Sequence, residues 1–161
     1  MKRSKWLGGW PGTLLWILAA EAVGALSGFL TRDGAQLYRD TLEKPPLSPP
    51  GIVLPIVWSI LYLLMGVSAA RIARAGPSTA RAKGLARFFA QLAFNFFWSI
   101  LFFNLQNYAL ALGWLAVLFA LILWMIPAFA GADRTAALLQ LPCLLWVAFA
   151  GYLNLGDLLL N

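Results

Sequence analysis

Residues 107–130 read NYALALGWLAVLFALILWMIPAFA, without one charged side chain. A helix that crosses a bilayer core needs about 20 predominantly apolar residues in succession. This stretch meets that length, and four others match or nearly match it, at roughly 10–30, 51–74, 84–104 and 135–157. The reading is an all-α membrane protein, a five-transmembrane-helix bundle. The chain has 161 residues, 61% hydrophobic and 11% charged, against about 25% charged in an ordinary soluble domain. That leaves one membrane domain spanning 1–161, with the breaks as loops. No internal repeat is visible, and five spans do not divide into two equal halves, which argues against an inverted-repeat transporter within one chain.

Composition excludes several chemistries. There is no His and a single Cys, Cys143, so Ser-His-Asp or Cys-His catalysis has no base. A zinc, haem or iron–sulfur site built from protein ligands has too few donors. The expectation is no metal and no resident cofactor. The net charge of +6 does not point to nucleic acid, because the basic residues are sorted by side. Lys2, Arg3, Lys5, Arg71, Arg74, Arg81, Lys83, Arg87 and Arg134 fall on one face of the bundle. Only Arg32, Arg39 and Lys44 fall on the other, offset by Asp33, Asp40, Glu43 and Asp157. This is the positive-inside pattern. It predicts a cytoplasmic N-terminus, an external C-terminus, and basic residues that touch anionic lipid. Ala20-Glu21-Ala22 loosely fits a signal cleavage site. The apolar run continues through Leu30, longer than a signal h-region, so a retained first helix is expected.

The breaks differ in kind. Segment 31–50 is the only long one. Its run Lys44-Pro45-Pro46-Leu47-Ser48-Pro49-Pro50-Gly51 removes backbone donors and fixes φ, so the segment reads as a stiff, extended lid. Ala75-Gly76-Pro77-Ser78-Thr79 is a turn by composition. Leu105-Gln106-Asn107 allows only a tight helix–helix connection.

Eight tryptophans raise the question of interfacial belt against site. Trp6, Trp10, Trp16 and Trp124 lie near the basic face and are read as belt or packing. Trp58, Trp98, Trp114 and Trp146 lie roughly 9–17 Å inside the opposite boundary, counted at 1.5 Å per residue. Tyr62 and Asn95 share their layer. Indoles and phenols at this depth need partners for N–H and O–H, so they are expected to face protein or a cavity. Asn95 sits mid-helix, four residues after Gln91. It reads either as interhelical glue or as a hydrogen-bond donor to a ligand, and one residue can do both. On the last helix Pro142, Trp146, Ala150 and Asn154 recur every four residues, and Ala150 leaves room below an indole. The resulting picture is a chamber walled by Trp58, Trp114 and Trp146 and anchored by Asn95. Tyr38 and Pro49 of the lid dip into it. Such a mostly apolar pocket suits a flat hydrophobic molecule. Glu21 is the only mid-span acid. It reads as a structural carboxyl or, as intramembrane acids often are, as a functional one, which would suit a proton-coupled exporter.

Four stretches, taken in order, carry a resemblance. They are Tyr38…Lys44-Pro45 with Pro49-Pro50; Trp58-Ser59-Ile60-Leu61-Tyr62 followed by Met65-Gly66; Gln91-Leu92-Ala93-Phe94-Asn95 with Trp98 and Phe102-Phe103; and Leu141-Pro142 leading to Trp146-Val147-Ala148-Phe149-Ala150 and Leu153-Asn154. Over about residues 10–157 the chain resembles the translocator protein family, also known as tryptophan-rich sensory proteins or peripheral-type benzodiazepine receptors. The resemblance implies a five-helix bundle, commonly a homodimer, that binds porphyrins and hydrophobic drug-like molecules, with sterols in animal members. Positions matching the family's pocket are Tyr38, Pro49, Trp58, Asn95, Trp114, Trp146 and Ala150. Porphyrin is then a ligand, or a substrate where light drives its breakdown through two tryptophans that match Trp58 and Trp146. Small residues Ala86, Ala90 and Ala93 offer a dimer face. Two positions depart from the pattern. Leu47 stands where the lid usually carries Trp, and Tyr152 has no basic residue after it, which weakens the case for sterol.

Overall fold

The computed structural model describes residues 9–161; Lys2, Arg3, Lys5 and Trp6 lie outside them. Helix α1 (Trp10–Leu30) starts with Pro11 in its first turn, where a missing N–H costs nothing. It is followed by α2 (Arg32–Thr41), α3 (Val53–Arg74) and α4 (Thr79–Ser99). A π-helical turn over Ile100–Asn104 ends α4. Then come α5 (Tyr108–Ala132), a short α6 (Arg134–Leu138) and α7 (Leu141–Leu160). Five helical stretches are long and apolar enough to cross a membrane, the last formed by α6 and α7 together. No strand occurs among the described residues.

The caps are where the sequence puts polar residues. Ser78 accepts from the Arg81 amide at 3.1 Å, and Asn107 from the Leu110 amide at 3.0 Å. Each satisfies a donor that the helix start leaves free. The final span is broken at Leu139–Gln140, and Pro142 falls in the first turn of the helix that follows, where a missing N–H costs nothing; Pro127, by contrast, is held inside α5. The span expected over 135–157 is therefore a short helix and a long one, reaching Leu160.

The segment expected to be extended over 31–50 is helical over 32–41. The prolines that suggested extension begin only at Pro45. Before them Asp33 and Arg39 sit in the first and last turns of α2, each complementing the helix dipole. Tyr38 turns inward while Gln36, Arg39 and Asp40 stay exposed. The proline run then crosses the bundle without regular structure. Leu47 holds φ at 68°, in a turn closed by the Ser48 amide and hydroxyl on the Pro45 carbonyl, at 3.2 and 2.7 Å.

α1 packs along α3 and also touches α4, α4 pairs along its length with α5, and α5 carries α7. Met65, Ile72, Phe88, Leu118, Ile122, Met125 and Phe129 form the buried centre. Two glycines let helices approach closely. A Cβ on Gly66 would collide with the backbone of Ile17 and Trp16, and one on Gly84 would press on the Phe129 ring. Leu15, Trp10, Trp124 and Leu145 point outward with many other large apolar side chains, as a lipid-facing surface requires. Cys143 is buried and free.

Asp133 joins three elements at the basic end. Its Oδ1 accepts from the Ala136 amide at 2.9 Å, capping α6, and its Oδ2 meets the Arg71 guanidinium at 2.9 Å. Burial alone would raise this carboxyl, but the Ala136 amide and the Arg71 cation outweigh it and hold it below the usual range. The stabilisation is thus present at neutral pH and is lost as pH falls through that lowered value. Asp133→Ala is expected to cost about 1 kcal/mol, chiefly the cap. Asp133→Asn should keep most of the cap and lose the pH dependence. Thermal unfolding in detergent at neutral and acid pH reads both; equal acid sensitivity in all three proteins would refute the assignment.

Candidate functional site

A cavity of about 430 Å³ lies under α2, between α1, α3 and α4, within the usual size of small-molecule sites. Its α1 wall exists because side chains are missing. Gly24 faces the Tyr62 ring so closely that any Cβ would collide with it, and Gly28 is open. On the α2 side Gly34 rides on the Phe103 carbonyl, again without room for a Cβ.

The opposite wall is aromatic. Tyr62 and Trp58 lie 5.8 Å apart between ring centres, Trp58 and Trp98 6.4 Å, Trp98 and Phe102 5.1 Å, Phe102 and Tyr38 5.3 Å. One continuous ladder of rings therefore climbs from mid-bundle to the lid. Trp98 is held by its indole N–H, which donates to Asn154 Oδ1 at 3.3 Å. Asn154 in turn donates to the Tyr108 carbonyl at 2.9 Å, so one buried amide ties α4, α5 and α7.

Asn95 supplies the polar element. It is 1% exposed, lines the cavity, and its Nδ2 has no hydrogen-bond partner among the described residues. An orphaned donor in an apolar interior costs about 1–3 kcal/mol. Glu21 sits lower on the same cavity, beside Tyr62, and no ion pair involves it among the described residues.

The lid is fastened to α7. The Tyr38 hydroxyl donates to both carboxylate oxygens of Asp157, each at 3.0 Å. Burial, and then the neighbouring Asp157 carboxylate, push this phenol well above its usual range, so it remains a donor. Tyr152 donates to the Pro46 carbonyl at 2.9 Å, Asn161 bonds the Glu43 backbone at 3.1 and 2.9 Å, and Pro45 rests on Gly156.

The TspO/MBR family profile matches residues 16–159. The chain belongs to the TspO/MBR family. Among its relatives, the tryptophan-rich protein TspO of Chlorobaculum tepidum is 37% identical over 141 residues, 87% of this chain and 89% of that one. The tryptophan-rich sensory protein of Cereibacter sphaeroides is 35% identical over 147 residues, 91% and 90% of the two chains. The translocator protein of Bos taurus is 36% identical over 140 residues, 81% and 80%. With five spans, this TspO/MBR chain is an integral, multi-pass membrane protein.

Within this TspO/MBR bundle the predicted residues divide. Tyr38, Trp58, Tyr62, Asn95 and Trp98 meet around this cavity. Trp114, Pro49, Trp146 and Ala150 stand outside its walls. Trp114 stacks on Phe94 at 4.2 Å and donates to the Phe94 carbonyl at 2.8 Å. Trp146 leans on Phe149, with 5.4 Å between ring centres, and Ala150 is buried on α7. Pro49 is half-buried in the lid run. Leu47, where the family usually has Trp, is 79% exposed and turned outward. Apart from Glu21, the α1 wall and the arginines of α2 were not anticipated as site residues. A signal for them exists in the spacing of Glu21, Gly24, Gly28, Arg32 and Ala35, three or four apart along one face.

Proposed function

We propose that the protein is a membrane receptor that binds porphyrins and other flat hydrophobic molecules in the cavity beneath α2. The supporting observation is Asn95, a buried amide whose nitrogen has no hydrogen-bond partner among the described residues, in the lining of a cavity walled by a ladder of aromatic rings. Such rings stack a flat apolar body, each contact adding roughly 0.5–1.5 kcal/mol beyond area burial, and the amide fixes its orientation. The words "sensory" and "translocator" in the relatives' names fit a receptor that reports or moves what it binds. Light-driven porphyrin breakdown through Trp58 and Trp146 draws less support, because only Trp58 reaches the cavity.

The test is a titration of detergent-purified protein with protoporphyrin IX in the dark, followed by quenching of tryptophan fluorescence. Saturable binding is expected in the wild type, and roughly tenfold weaker binding in Asn95→Leu, from loss of one buried hydrogen bond. Non-saturable quenching, or equal affinity in the two proteins, would sink the reading.

A further inference from the structure

The cavity carries positive charge at one end only. Arg32 and Arg39 both line it from α2. Seven residues apart, they project from the same side of the helix and are separated by about 10 Å along its axis. Arg39 lies with its stem across Gly51, where a Cβ would come within 2.8 Å of Cδ, so the missing side chain lets the arginine rest over the cavity mouth. No ion pair involves Arg39 among the described residues. Arg32 sits over the Phe29 ring at 4.4 Å. Among the described residues its one acidic contact is its neighbour Asp33, at 3.4 Å, with side chains 60% and 92% exposed. A pair that open to water is worth little and yields easily to a better-placed anion. Asp40 and Glu43 are exposed and do not line the cavity, and the acid that does, Glu21, is at the far end.

The side of the cavity between α1 and α3 is bordered by exposed Ala25 and Gly28 on one helix and exposed Pro55 and Ser59 on the other. These residues belong to membrane spans, so the opening faces hydrocarbon. A molecule entering there needs an apolar body, and any acid groups it carries stay at the lid end, level with the two arginines.

We propose that Arg32 and Arg39 form a two-point carboxylate grip at the cavity mouth, which holds the acid groups of a flat apolar ligand at the lid end. This rests on the binding reading above. A guanidinium suits the task because its planar fork matches a carboxylate and stays charged at the membrane surface. The grip adds orientation: ring inward on Trp58 and Trp98, acids outward on α2.

The experiment compares protoporphyrin IX with its dimethyl ester, which keeps the ring and removes both charges. The full-length protein is titrated in the dark, as wild type, Arg32→Gln, Arg39→Gln and the double variant. Lys83→Gln, at the opposite end of the bundle, controls for general charge. The double variant is expected to lose roughly tenfold in affinity for the acid, the scale of two charge-assisted contacts near water. Its affinity for the ester, and both affinities in Lys83→Gln, are expected to be unchanged. Retained ester binding also shows that the variant is folded. Equal losses for acid and ester, an unchanged acid affinity, or the same loss in Lys83→Gln would overturn the grip and leave the receptor reading standing. Failure of both ligands to saturate the wild type would overturn both.

Discussion

Gly66→Val is expected to loosen the whole bundle by prying α1 from α3. The atoms that a Cβ would meet at this position are the Ile17 backbone and the Trp16 carbonyl. A side chain in the way can change rotamer, but a helix backbone cannot; the helices must separate or the chain must bend. Overpacking of this kind costs about 1–3 kcal/mol, occasionally more. Here the lost contact is the principal packing of α1 and of the cavity's glycine wall, so ligand binding should fall with stability. Gly66→Ala should show the same direction at smaller size. The control is Gly113→Ala on α5, where a Cβ meets nothing within 4 Å and helix propensity favours alanine by roughly 0.5–1 kcal/mol. Thermal unfolding in detergent is the measurement. If Gly66→Val and Gly113→Ala melt together, close approach of α1 and α3 is not what holds the bundle.

Asp157→Ala is expected to release the lid. Asp157 is fully buried, and both its oxygens receive the Tyr38 hydroxyl. Removing the acceptor leaves a buried hydroxyl unpaired, a penalty of about 1–3 kcal/mol, and it falls on the main side-chain link between α2 and α7. The remaining links, Tyr152 to Pro46 and Asn161 to Glu43, are exposed and therefore weaker. Hydrogen exchange of the α2 amides should accelerate, and protoporphyrin should dissociate roughly tenfold faster, since lids commonly gate release. Tyr38→Phe should reproduce part of this. The double variant should be little worse than Asp157→Ala alone, as expected for two residues acting through one contact. Unchanged α2 exchange in Asp157→Ala would show that the lid is held elsewhere.

The sequence makes the spans plain because lipid demands long apolar runs and little else. It also yields the heights of the buried tryptophans, since rise per residue is fixed. Height is not direction. Trp58, Trp98, Trp114 and Trp146 occupy similar depths, yet Trp58 and Trp98 face the cavity while Trp114 turns its N–H to Phe94 and Trp146 leans on Phe149. The angle about each helix axis is decided by packing against neighbours, which a single chain does not spell out. The α1 wall escaped for another reason. Gly24 and Gly28 contribute by having nothing there, and reasoning from chemical groups passes over an absent side chain. The α2 helix was hidden by the prolines after it, although Ala35, Tyr38 and Leu42 already carry its three-to-four spacing. The π-helical turn at Ile100–Asn104 follows from no propensity in its residues.

The solitary thiol has a practical consequence. Cys143 is fully enclosed by its neighbours, so a folded sample offers maleimide reagents nothing to react with among the described residues. The natural sequence can thus serve as its own unreactive background. A single cysteine placed at an exposed lid position such as Gln36 would carry a spin label or fluorophore alone, with the core left intact.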